Sequence, residues 1–402
     1  MAKKTSKKET TEVGKGSLGA EARQGAAYQA SVEIIRKILA DAEVARARKS
    51  FPIPEPTKVC LAFQTMKGVR TLEALAEFQQ IETLAFWCGA VKDLNGVQHL
   101  PKLKHLSFDR KTKVKGGLQP LRGIPLESLR VGPSLFDQLR DLDLSELREL
   151  HLWDAALSSL DFLPCLPKLK KLHVGWRSVC LTSFRSFDRV PRVEVVSLGE
   201  AKRLKNCDGL DQCPSLRVLE ANHSSVQNLE GLRGHPGLEV LELRGAPLSD
   251  LAPLYGCPSL KTLRVERTKV KDLAGIAEGL PVLKRLDLWG TKAQDLEPIA
   301  GLSGLRYLAL SGLKPRSWAF LSRLTSLELL DLCNSSFEDL SLIGELPKLR
   351  RVRLTDTAVK PDVAGVKPLA ETLRSRGGGV SFSNSGQWPH DEDHQGKLGL
   401  IE

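Results

Sequence analysis

His151 and His173 stand 22 residues apart in the segments ELHLWD and KLHVGW, each between two apolar residues. Glu149 and Asp154 flank the first of them, and His105 occupies the same kind of segment, KHLSF. Imidazoles beside carboxylates are the residue types of metal centres and of acid–base pairs, and both chemistries need the donors to converge on one point. An offset of one regular turn instead sets the two imidazoles side by side on neighbouring strands. No third ligand and no nucleophile is signalled, so the expectation is a polar contact surface with no metal, no cofactor and no catalytic residue. His390 and His394 lie four apart with Asp391, Glu392 and Asp393 between them, a pattern that a polar tail explains as well as a metal does. The eight cysteines, Cys60, Cys88, Cys165, Cys180, Cys207, Cys213, Cys257 and Cys333, include no CxxC pair and read as reduced, small apolar residues. The chain holds no glycine-rich phosphate loop, no GxSxG and no HExxH. Gly377 to Gly379 read as a turn closing a helix.

The elements that must position these residues follow from a repeat. On the pattern L-x-x-L-x-L, the first apolar position falls at Ile81, Leu103, Leu126, Leu147, Leu169, Val193, Leu216, Leu238, Leu260, Leu283, Leu305, Leu327 and Leu349, with spacings of 21 to 24 residues. A less regular turn begins at VCLAF, Val59 to Phe63. Alternation in LEL (Leu241 to Leu243) and LDL (Leu286 to Leu288) marks a strand with one buried face. In SDLAPLYG, Asp250 precedes an apolar pair, where its carboxylate can accept from the orphan amides of a helix-like turn; Asp93, Asp272, Asp295 and Asp339 repeat the device. One turn cannot bury its leucines alone, whereas stacked turns share a continuous core.

PGLEVLELRGAPLSDLAPLYGC and PSLKTLRVERTKVKDLAGIAEG resemble the short, 22-residue class of bacterial leucine-rich repeats, as in internalin-like proteins. The resemblance covers roughly residues 57–360. It implies an α/β solenoid: a curved array with a parallel β-sheet on the concave face and short helical or irregular turns on the convex face. It also implies a recognition module, since repeat proteins of this kind include effectors and inhibitors of other proteins. One departure stands out. Many leucine-rich repeats carry an asparagine eight residues after the first leucine; here Gly89, Lys111, Ser134, Ala155, Arg177, Ala201, Ser224, Ala246, Thr268, Thr291, Leu313, Ser335 and Thr357 occupy those places. Ser and Thr can serve some backbone groups, while Ala and Gly leave them to backbone or water.

With the fourth and sixth positions turned inward, the residues between and just after them face the concave side. Trp87, Trp153 and Trp289 each follow the sixth-position residue directly, and Trp176 lies one place further on, so four of six tryptophans stand at the inner wall. Tryptophan is preferred as an interface anchor because it buries a large area at small rotamer cost, although cross-strand packing is its competing role. The between-leucine series continues Glu220, Glu242, Arg264, Asp287, Ala309, Asp331, Arg353, a mixed surface. Glu220 and Glu242 would repel unless Arg244, Arg264 or a partner's base answers them. The expected function is therefore non-enzymatic: a protein partner bound on the concave face through Trp87, His105, His151, Trp153, His173, Trp176, Glu220, Glu242, Arg264, Asp287, Trp289 and Tyr307. An inhibitor or immunity-type protein that blocks a cognate toxin or enzyme is the alternative.

Around the array, residues 1–24 read as a basic flexible tail, 25–56 as a helical cap and proline-rich link, 361–383 as a helix–strand cap and 384–402 as a mobile tail. Val32, Ile35, Leu39 and Ala42 give the first cap its helical spacing before FPIPEP stops it; a partner-binding or membrane-surface helix is its other reading. The second is VKPLAETLRSRGGGVSF, a short helix, a glycine break and a strand at Val380 to Phe382. The net charge of +11 is spread thinly: residues 1–50 hold eleven Lys/Arg against six Asp/Glu, and residues 384–402 one against four. Five lysines between Lys3 and Lys15 would give weak, salt-sensitive attraction to nucleic acid, a third possible role, but the acids of the wall disfavour a phosphate backbone there. No apolar run approaches the roughly 18 residues of a membrane span, and the lysine-bearing N-terminus lacks the apolar core of a secretory signal, so a cytoplasmic location is expected.

Overall fold

The computed structural model describes residues 25–47, 60–153, 157–175 and 180–382. Fifteen strands, from Cys60–Phe63 to Gly379–Ser381, form one sheet in strict chain order, each strand hydrogen-bonded to the next. Every pair is parallel, for example Glu149–Leu152 against Lys171–Val174. The thirteen leading apolar residues from Ile81 to Leu349 are all buried. Two strands beyond them complete the sheet, one inside VCLAF and one near the C-terminus that runs Gly379–Ser381, a residue earlier than the pattern indicates. Alternation does the positioning: in Glu149–Leu152, Leu150 and Leu152 point into the core while Glu149 and His151 stay half-buried on the other face. In the first three turns phenylalanine fills the sixth position, and Phe63, Phe86 and Phe108 stack with ring centroids 5.4 Å apart.

The convex side is mostly 3-10 turns such as Ala252–Leu254 and Glu297–Gly301. The predicted aspartates do accept from backbone amides, but from the amide two residues on: Asp250 from Ala252 at 2.8 Å, Asp272 from Ala274 at 2.8 Å and Asp339 from Ser341 at 2.9 Å. They therefore make Asx turns one residue before the cap, because Leu251, not Asp250, is the capping residue of its turn. Turns stack closely here; a Cβ on Gly231 would stand 2.1 Å from the Cys207 carbonyl oxygen of the preceding turn.

In the later turns, from His223 onward, backbone replaces the asparagine ladder. One place earlier in the repeat, His223, Gly245, Arg267, Gly290, Gly312, Asn334 and Asp356 all adopt positive φ, with 57° at His223 and 70° at Gly245. This left-handed residue turns its N–H toward the next coil: His223 donates to the Arg244 carbonyl at 2.6 Å, Gly245 to Glu266 at 2.7 Å, Arg267 to Trp289 at 2.7 Å and Asn334 to Thr355 at 2.8 Å. The parallel ladder thus continues past the strands. Two threonines at the asparagine place bond locally, Thr268 Oγ1 to the Val265 carbonyl at 2.7 Å and Thr357 Oγ1 to Leu354 at 2.8 Å.

Both ends of the core are covered. The helix Ala26–Ala47 buries Tyr28, Val32 and Ile35, and its buried Ser31 Oγ accepts from the Arg70 amide at 3.0 Å. The helix Val366–Ser375 buries Val366, Leu369 and Leu373, and Arg376 donates to the Leu346 and Leu349 carbonyls at 2.7 and 3.0 Å. The Lys3–Lys15 segment, FPIPEP and the His390/His394 tail lie outside the described residues. Among the described residues no helix is long and apolar enough to cross a membrane.

Candidate binding surface on the concave sheet

In-register parallel strands turn the third, fifth and seventh positions of each repeat into three columns on the concave face. On the earlier strands, Glu149, His151 and His173 occupy the first two columns. His151 Nε2 lies 2.5 Å from Glu149 Oε1, and the His151 and His173 rings stack with centroids 4.3 Å apart. The hydrogen bond from His151 holds the Glu149 carboxyl down at about 2 against its burial, so it is anionic at neutral pH. Burial, and then His151, push the His173 imidazole down to about 4, so it is neutral there. Its Nε2 is buried without a hydrogen-bond partner. The expectation that no third donor joins the two histidines is corrected: Glu149, His151 and His173 each present a ligand atom, all within 4.8 Å of one another. The donor comes from the histidine's own strand, two residues away, rather than from a third strand.

Trp153 leans back across this region. Its Nε1 donates to the Phe108 carbonyl at 3.1 Å, two strands earlier, and Arg130 lies 5.3 Å from its ring centroid. That is cross-strand packing by one of the expected anchors. Trp87 is instead 42% exposed, the most exposed large apolar residue described. His105 lies two strands before His151. Trp176 and Asp154 lie outside the described residues.

A second group occupies the later strands, and it is far less exposed than an outward-facing column implies. Glu242, Arg264, Asp287 and Tyr307 are all buried, while Glu220 is half-buried. The charges are covered from the same turn and from adjacent ones. Arg264 pairs with Glu242 at 3.4 Å and with Glu266 at 3.0 Å, and Arg244 reaches Glu266 at 3.3 Å. Arg264 is thus the base that answers Glu242. Burial, and then the Glu266 carboxylate, push the Asp287 carboxyl well above its ordinary range. Arg285 covers the Tyr307 ring at 4.1 Å, and Arg267 covers Trp289 at 4.3 Å. Glu266, Arg267 and Arg285 belong to the third and seventh positions and the residue after them, columns that the between-leucine reading passed over.

Beside this cluster an open pocket of about 190 Å³ is lined by Asp287, Trp289, Ala309, Ser311, Asp331, Cys333, Asn334 and Arg353. Arg353 pairs with Asp331 at 3.2 Å. Burial, and then Asp331, raise the Cys333 thiol to about 11. A thiol so protonated is a poor nucleophile. Trp153 and Trp289 stand six strands apart, on the order of 29 Å at the usual strand spacing, so the two groups are separate areas of one wall.

No family model and no curated protein matches the chain. Solved structures do. A leucine-rich-repeat protein of Leptospira interrogans matches with TM-score 0.53 and 17% identity, over 81% of this chain and 89% of its own. Toll of Drosophila, in its complex with Spatzle, matches with TM-score 0.56 and 16% identity, over 82% of this chain and 46% of its own. An internalin of Listeria monocytogenes aligns at 18% identity with TM-score 0.49, over 88% of this chain and 95% of its own. The fold is that of a leucine-rich-repeat solenoid.

Proposed function

We propose that this solenoid is a non-enzymatic recognition module that binds a protein on its concave wall. The pocket beside Trp289 carries the reading. At about 190 Å³ it is smaller than the roughly 300–1,000 Å³ of small-molecule sites, and it suits one side chain of a larger partner. Its walls combine an aromatic face with a paired carboxylate and guanidinium, the composition of a hot spot rather than of a reaction centre. Burial and the neighbouring Asp331 carboxylate hold the Cys333 thiol protonated, so it is not an activated nucleophile. Trp87 gives a second anchor at the other end, and the continuous parallel sheet presents both before binding, which limits the ordering cost. The carboxylates of Glu242, Glu266 and Asp331 make the wall a poor surface for a phosphate backbone. That Toll was solved in a complex with Spatzle is consistent with a fold that lends itself to protein binding.

The test is affinity capture from source-cell lysate with the tagged full chain, beside a Trp87→Ala, Trp289→Ala double variant whose circular dichroism matches wild type. Mass spectrometry should identify a protein retained by the wild type and lost by the variant. Identical sets on both would remove the concave wall from the reading.

A further inference from the structure

The Glu149–His151–His173 cluster stands apart from the pocket and its binding role. We propose that these three residues form a binding site for a divalent transition metal of the zinc class. Three observations carry it. The donors are fixed on adjacent parallel strands, with His151 and His173 in direct register, so the backbone holds the site before any metal arrives. Their ligand atoms all lie within 4.8 Å of one another, and donors around a four-coordinate zinc stand roughly 3.4 Å apart at the usual bond lengths of about 2.1 Å. Finally, His173 Nε2 is a buried lone pair or N–H with no hydrogen-bond partner, a cost that coordination would remove.

Two imidazoles and one carboxylate suit zinc better than calcium or magnesium, which favour all-oxygen shells. Three protein ligands leave a fourth position for water. Reaching the bound geometry needs the stacked rings to splay about their Cβ–Cγ bonds, a soft torsion in histidine. His151, which now shares a hydrogen bond with Glu149 through Nε2, takes the Nδ1–H tautomer and turns its Nε2 lone pair to the metal. Arg130 and Lys171 lie close enough to act on His173, and their positive charge opposes a cation there.

Isothermal titration of the full chain with zinc chloride near pH 7.5 tests this. The expected result is one zinc per chain. His151→Gln, His173→Gln and Glu149→Gln should each weaken binding beyond the roughly 10- to 100-fold that loss of an outer-shell partner costs. A Cys165→Ser, His390→Ala, His394→Ala variant should bind as the wild type does. If a histidine variant fails to fold, imidazole NMR of the wild type replaces it, and zinc should shift two rings alone. No zinc bound at 100-fold molar excess, unchanged binding in the histidine variants, or loss of binding in the cysteine and tail variant would each overturn the proposal.

Discussion

Arg264 has almost no contact with solvent, and its charge is balanced by Glu242 on the preceding turn and by Glu266 two residues on in its own turn. Removing it takes the buried guanidinium away from Glu242 and leaves Glu266 to Arg244. Arg264→Ala is therefore expected to cost about 3–5 kcal/mol, read as a lowered urea midpoint, whereas an exposed pair such as Lys168–Glu146 should change stability by no more than about 1 kcal/mol when Lys168 becomes Ala. Asp287 predicts the opposite sign. Its folded-state carboxyl titrates well above the unfolded value, because burial and Glu266 oppose its charge. The native state accordingly holds a proton that the unfolded chain has released, and stability falls as pH rises from the ordinary aspartate range through the raised one. Asp287→Asn removes that loss while its amide oxygen can still accept from the Trp289 N–H, as Asp287 Oδ1 does at 3.1 Å. The variant should melt higher than wild type at pH 7, with the gain shrinking toward pH 4. A gain that is independent of pH would mean that Asp287 is ionised in the fold. Little of this was legible in the chain: the column positions follow from register, but burial of Arg264 depends on side chains from turns on either side. Glu149 beside His151 was legible for a simpler reason, since residues two apart on a strand share a face.

At the level of elements, the leucine period was enough to place all thirteen regular strands, because a one-residue slip would have exposed each buried set. The backbone ladder that replaces asparagine was not readable. Its left-handed position holds His223, Arg267, Asn334 and Asp356 as often as glycine, and only the turn geometry demands the conformation. The convex turns make a sharper demand. A methyl group at Gly231 would collide with the Cys207 carbonyl oxygen at 2.1 Å, and that oxygen belongs to backbone that cannot swing away. Gly231→Ala should destabilise by about 1–3 kcal/mol, the usual cost of overpacking. Gly344 has open space around it and an ordinary backbone, so Gly344→Ala should stay within about 0.5 kcal/mol of wild type. Paired urea titrations would separate the two; equal losses would mean that the convex stacking is looser than these contacts require.

The whole molecule is a line of turns in which each strand bonds only to its neighbours, so its stability is a sum of local terms joined by interfaces rather than one indivisible core. The ends then matter most, because a terminal turn has a single neighbour. The N-terminal helix supplies the missing one: Ile35 is fully buried, Tyr28 donates to Glu77 at 2.9 Å, and Ser31 receives the Arg70 amide. Ile35→Asp places an unpaired charge in that interface and should undock the helix. Hydrogen exchange should then quicken in the strands Cys60–Phe63 and Thr83–Phe86 and fade toward wild-type rates along the array, leaving Tyr307–Ala309 and Leu329–Asp331 protected. Uniform acceleration across all fifteen strands would show instead that the solenoid opens as one cooperative unit, and the two anchor areas of the wall would then be coupled through its stability.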